Sequence, residues 1–206
     1  MKRIGFVVAL ALALSVLASA GTFTLTEGTP SPNLSPVFGT LVNFDDQPTG
    51  NPVNPSQYLG VGVASIADVN NQLYYLPGFQ SPPNYVGTGG NAGWAMDTFI
   101  KLVNPTNQIG IGIAGPGSVI LTAYGVNGSA LASYSFSFNL FNDYWVVGDT
   151  ASEIAALQIQ SGYIAIDDLQ FNATQPIPEP AVILVIASGL ASMAFGLRRR
   201  LANRST

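Results

Sequence analysis

Residues 117–138 admit one local structure, and it sets the class of the whole chain. Between 118–124 (Ser-Val-Ile-Leu-Thr-Ala-Tyr) and 130–138 (Ala-Leu-Ala-Ser-Tyr-Ser-Phe-Ser-Phe) lies Asn127-Gly128. That pair supplies the positive φ angles of a tight hairpin turn. In the second run Tyr134, Phe136 and Phe138 alternate with Ser133, Ser135 and Ser137. A period of two puts the aromatic rings on one side of a strand and the hydroxyls on the other, so one face is buried and one meets water. A helix would scatter them.

The same texture recurs along the chain. Runs rich in Val, Ile, Tyr, Phe and Thr are separated by Gly, Pro and Asn clusters. Further strands are expected at 23–26, 39–44, 59–66, 72–76, 95–103, 108–114, 144–147, 155–160 and 163–171. Residues 151–157 offer a helical turn or two at most. Short strands in this number predict an all-β, two-sheet β-sandwich of jelly-roll-like form. Segments 45–56 and 77–93, rich in Pro, Gly and Asn, are expected to be long loops, the usual carriers of binding residues on such a scaffold.

Both ends stand apart from that domain. Lys2 and Arg3 precede an apolar stretch at 4–17, and Ala18-Ser19-Ala20 follows. This is the order of a signal peptide over 1–20, cut by signal peptidase after Ala20 with Ala18 and Ala20 as the small cleavage-site residues. At the other end Pro178-Glu179-Pro180 leads into an apolar run at 181–197 and then Arg198-Arg199-Arg200, with Arg204 beyond. The run sits at the short limit for a transmembrane helix. The arginines should remain cytoplasmic. The expected organisation is therefore a signal-peptide helix, an exported domain at 21–177, and a tail at 178–206 holding a single transmembrane helix and a basic cluster at 198–204.

The order of the tail resembles the PEP-CTERM sorting signal, found on surface and matrix proteins of Gram-negative bacteria that make exopolysaccharide. The resemblance implies export through the inner membrane and a transient hold there by 181–197. An exosortase-type membrane protease would then cut near Pro178-Glu179-Pro180 and release the protein to the cell surface or extracellular matrix. Read from its residues alone, the tail leaves a permanent single-pass anchor open. It speaks to destination and not to activity.

Charge and composition exclude more than they assign. Within 21–177 the only basic residue is Lys101, against ten acids, a net charge of −9. Such a surface repels phosphate backbones, which excludes nucleic acid as a partner. The chain contains no cysteine and no histidine. Disulfides, zinc-thiolate sites, thiol nucleophiles, imidazole bases and every triad built on them are absent. No serine lies in a nucleophile-elbow pattern. Catalysis would rest on carboxylates alone, as in a glycosidase. The expectation is a non-catalytic protein associating with exopolysaccharide or with itself, and the alternative is a carboxylate-based carbohydrate-active enzyme.

Three stretches carry the site candidates. Val42-Asn-Phe-Asp-Asp46, Leu121-Thr-Ala-Tyr-Gly-Val-Asn-Gly128 and Ala165-Ile-Asp-Asp-Leu-Gln-Phe171 fall in order over 40–172. The pattern resembles exported jelly-roll domains joined to such tails, similar to galactose-binding-like and carbohydrate-binding modules, and implies that fold and an affinity for sugar. The first and last strands of a jelly roll commonly lie side by side. Asp45, Asp46, Asp167 and Asp168, with Asn43 and Asn172, would then share a structural Ca²⁺ ion through hard oxygen ligands. Otherwise each pair shapes a turn at a strand end.

Tyr74, Tyr75, Tyr85, Trp94, Tyr144 and Trp145 lie in or beside the expected loops, where a ring offers a flat platform for a pyranose. Tyr85 and Trp94, bracketing the Gly-rich loop, are the leading pair, with core or rim packing as the alternative. Gly110-Ile-Gly-Ile-Ala-Gly115 matches a dinucleotide fingerprint by letters, but Pro116-Gly117 and another strand follow it instead of a helix. Ile109, Ile111 and Ile113 read as one buried strand face, with the glycines permitting close approach on the other.

Overall fold

Alternation becomes strand throughout. The computed structural model describes residues 21–78, 82–88, 95–115, 117–138, 143–151, 153–162 and 165–172, and among them there is no α-helix. The elements begin with β1 (Phe23–Gly28), β2 (Thr40–Val42) and, after a 3-10 turn at Leu59–Val61, β3 (Val63–Asp68). Next come β4 (Leu73–Pro77), β5 (Asn84–Thr88), β6 (Met96–Thr106) and β7 (Gln108–Ala114). The last five are β8 (Gly117–Tyr124), β9 (Ala130–Phe138), β10 (Asp143–Asp149), β11 (Ile154–Ser161) and β12 (Ala165–Phe171). No helix among the described residues is long and apolar enough to cross a membrane. The chain divides into two units, 1–174 and 175–206, and all described residues belong to the first. The signal-peptide and sorting-tail expectations lie outside the described residues.

Two antiparallel sheets form a sandwich. One runs β1-β10-β7-β12-β5-β4, with β2 also paired to β12, and the other runs β3-β6-β11-β8-β9. Ile109, Ile111 and Ile113 from the first meet Ile100, Leu121, Leu157 and Ile159 from the second in one fully buried core. The expected hairpin is β8–β9, with Leu121 opposite Tyr134 and Thr122 opposite Ser133. Tyr134 and Phe136 pack on the core while Ser133, Ser135 and Ser137 stay exposed. Gly128 turns the chain at φ 77°, but Asn127 does not share the positive φ expected of the pair.

One expected loop contains a strand, one is kept, and one expected strand is shortened. Segment 77–93 is not one long loop, because β5 lies inside it. Its Pro- and Gly-rich flanks hide a strand that tertiary pairing enforces: Val86 stands between Tyr75 of β4 and Ile166 of β12 and is fully buried. Segment 45–56 is a loop but a docked one. Gly50 N donates to Tyr75 O (2.6 Å), Tyr75 N to Asn51 O (3.0 Å) and Val53 N to Leu73 O (2.8 Å). It covers the outer edge of β4, which would otherwise offer unpaired backbone groups to another chain. The strand expected at 59–66 starts only at Val63, after the 3-10 turn.

The pair Asp167-Asp168 marks a β-bulge. Ile166 and Leu169 are three residues apart yet both fully buried in the core, which strict alternation forbids. The register on β7 jumps from Asp167 opposite Gly112 to Gln170 opposite Gly110, so three steps on β12 match two on β7. One extra residue restores the inward face. Asp168 accommodates it at φ 46°, a left-handed conformation that Asp and Asn tolerate better than most residues. At the same point β12 changes neighbour, from β5 at Ala165 and Ile166 to β2 at Leu169 onward.

The outer faces of the two sheets differ. Segment 29–38 lies over the seven-stranded sheet. Ser31 N donates to Asp168 Oδ2 (3.3 Å), Phe38 N to Gln170 Oε1 (2.9 Å), and Gln170 Nε2 to Tyr144 Oη (2.7 Å) and Pro36 O (3.2 Å). Gly110 makes room below, since a Cβ there would overlap the Tyr144 hydroxyl. The five-stranded sheet instead leaves side chains such as Lys101, Ile120 and Ser135 exposed.

Candidate functional site

Strand β6 creates the open face by alternation. Met96, Thr98, Ile100 and Leu102 are buried, so Asp97, Phe99, Lys101 and Val103 point the other way. Registry sets Phe99 beside Gln158 of β11 and Lys101 beside Ala156. It then sets Ala156 beside Tyr124 of β8 and Gln158 beside Thr122. On the other flank Ser65 and Ala67 of β3 stand opposite Lys101 and Phe99. Small residues surround two large rings, Phe99 and Tyr124, each half-buried. The Phe99 and Tyr124 ring centroids are 5.8 Å apart with planes inclined at 45°.

Hydrogen bonds hold this arrangement. The Tyr124 hydroxyl donates to Gln158 Oε1 (2.6 Å), and Gln158 Nε2 donates to Asp97 Oδ1 (2.6 Å). The relay fixes the tyrosine ring and leaves an apolar platform fenced by amide, hydroxyl and carboxylate groups. Two depressions flank the pair. One of about 540 Å³ is lined by Tyr124, Val126, Ala156 and Leu102, the other of about 240 Å³ by Ser65, Ala67, Asp68 and Val69, and Phe99 and Lys101 border both. Four neighbouring strands, β3, β6, β11 and β8, span about 14 Å at the usual strand spacing. That is room for a short stretch of extended polymer.

The expected sites fare differently. β2 does lie beside β12, with Leu169 opposite Val42, as the cation reading requires. The carboxylates nonetheless serve local bonds. Asp45 accepts from Asn43 Nδ2 (2.9 Å) and Asn84 N (3.0 Å), and Asp46 from the Tyr58 hydroxyl (2.7 Å). Asp167 accepts from Asp168 N (2.8 Å), and Asp168 holds Ser31. Among the described residues no group of three or more acidic side chains is placed to hold a metal ion.

Of the aromatic candidates, Tyr75 is a core residue, Tyr144 is buried beneath segment 29–38, and Trp145 packs at a tilt on Phe136 with ring centroids 4.4 Å apart. Burial, with the neighbouring Asp46 adding to it, pushes the Tyr58 and Tyr75 hydroxyls above the ordinary tyrosine range. Tyr85 is half-buried within β5, and Trp94 lies outside the described residues. Phe99 and Tyr124 were not among the candidates. Their signal was present: Phe99 shares the outward parity of β6 with Lys101, the sole basic residue of the domain.

One acid is expected to leave a pH signature. Asp143, buried at the start of β10, has its carboxyl held above the usual 3.8 by burial first and by nearby Glu27 second. The folded state thus binds this proton more tightly than the unfolded chain does. Stability should fall as pH rises from about 3.8 through the raised value and stay lowered above it. Asp143→Asn is expected to flatten this part of a stability–pH curve and to raise stability at pH 7. An unchanged curve would remove Asp143 as its source.

No protein-family model matches the chain, and no curated protein matches it. Among solved structures there is a likeness to the enzymatically active domain of bacteriophage CBA120 tailspike protein 4, at 15% identity and a TM-score of 0.29. It covers 75% of this chain and 19% of that one, and a likeness so slight carries no argument.

Proposed function

We propose that this is an exported, non-catalytic protein of the cell surface or extracellular matrix that holds exopolysaccharide on the outer face of its five-stranded sheet. The Phe99–Tyr124 platform above two depressions carries the binding half of this reading, because a pair of rings fenced by polar groups suits the apolar face and hydroxyl rim of a sugar. The destination half rests on Ala18-Ser19-Ala20 and on Pro178-Glu179-Pro180, 181–197 and Arg198-Arg199-Arg200. Signal peptidase and an exosortase-type protease are the processing partners in this scheme, with the inner membrane a transient stop. The sandwich is read as a jelly roll. Its strand orders β5-β12-β7-β10 and β6-β11-β8-β9, with the chain passing repeatedly between sheets, support that topology.

Two measurements test the proposal. Mass spectrometry of the released protein should find a C-terminus near Pro180; a released form keeping Arg198-Arg199-Arg200 would favour a permanent anchor. On a glycan array the full chain should bind without releasing reducing sugar. Phe99→Ala and Tyr124→Ala should each weaken binding roughly tenfold, within the range for one stacking contact. Sugar release abolished by a single Asp→Asn change would establish the carboxylate enzyme instead.

A further inference from the structure

Resting on the glycan reading, we infer that the groove selects a polysaccharide bearing carboxylate groups, and that Lys101 is the cation that reads them. Lys101 is exposed on the outer face of the five-stranded sheet and borders both depressions beside Phe99. It is the sole basic group among ten acids in 21–177, so an internal ion pair would be the ordinary fate of its charge. Among the described residues it forms none.

Asp68, at the rim of one depression, and Asp97, on the outward parity of β6, are both engaged elsewhere. Asp68 takes Asn70 N (3.0 Å) and Asn71 N (2.9 Å) on Oδ1, and Asp97 N (2.7 Å) and the Thr98 hydroxyl (3.0 Å) on Oδ2. Asp97 accepts from Gln158 (2.6 Å), which Tyr124 in turn orients. Neutral donors engage both carboxylates, and the ammonium borders the groove without an ion pair among the described residues.

A neutral glycan would use the rings and leave that charge idle. A uronate residue stacked on Phe99 would bring its carboxylate to Lys101, forming a charge-assisted bond stronger than a neutral one. Net repulsion between a polyanion and a domain of charge −9 acts over a longer range, and at physiological salt it is screened beyond about 8 Å. The contact pair therefore decides selectivity.

The test uses the full chain in affinity gels at physiological salt, with polygalacturonate and carboxyl-reduced polygalacturonate as paired probes. They share a backbone and differ in charge. Wild type should bind the acidic polymer about tenfold more tightly than the reduced one. Lys101→Met should erase that preference by weakening binding of the acidic polymer more than of the reduced one, and Lys101→Arg should retain it. Lys101 is exposed, so its variants should fold, and their melting curves check this.

Equal binding of both polymers, unchanged in Lys101→Met, would overturn the acidic preference and leave the glycan reading standing. Binding of neither polymer, with none on the glycan array either, would overturn both. Should Lys101→Met instead lower self-association in sedimentation without altering glycan binding, the lysine reads a second copy of the chain and the inference is wrong.

Discussion

Gly110→Val is expected to lower the melting temperature by roughly 6–12 °C, from about 3 kcal/mol at 2–4 °C per kcal/mol for a domain of this size. The reason is local and steric. Gly110 lies under the Tyr144 ring, with the Tyr144 hydroxyl and Phe38 where a side chain would go. A valine would displace the tyrosine and with it the hydrogen bond from Gln170, which also anchors Phe38 and Pro36. Losing buried hydrogen bonds adds to the overpacking. Circular dichroism melts decide the matter: a shift under about 2 °C would mean that segment 29–38 contributes little to stability. Combining Gly110→Ala with Tyr144→Phe should recover part of the loss, since the first atom met is the hydroxyl.

Replacing Asp168 by alanine should cost about 2–4 kcal/mol, while Asp168→Asn should be nearly silent. Alanine at φ 46° carries left-handed strain of about 1–2 kcal/mol. It also deletes the acceptor for Ser31, and leaving a buried donor without its partner costs about 1–3 kcal/mol. Asparagine tolerates the same backbone and keeps an acceptor oxygen. The contrast separates a bulge former from a metal ligand, because a structural Ca²⁺ ion would need the charge that asparagine lacks. Wild-type melts raised by calcium and lowered by chelator, with the difference lost in Asp168→Asn, would establish the cation reading.

What the sequence determined by itself follows from its periodicity and its missing residue types. Tyr134-Ser135-Phe136 alternation, the Asn127-Gly128 turn and the Ile109, Ile111 and Ile113 face could form only strands with one buried side. The class of fold was therefore legible in the sequence. The lack of histidine and cysteine, and the confinement of positive charge to Lys101, set the chemistry available just as firmly.

Tertiary structure alone decided the rest. Strand β5 exists because β4 and β12 pair with it from both sides, which no local preference in 84–88 announces. Asp167 and Asp168 look like paired ligands in one dimension. In three they form the extra step that lets both Ile166 and Leu169 face inward. Tyr75 and Tyr144 were buried and Phe99 and Tyr124 left outside because a strand's parity, though readable, does not say which sheet face the chain will later cover. Segment 29–38 covered one face and left the other open, and that choice depends on contacts over a hundred residues apart.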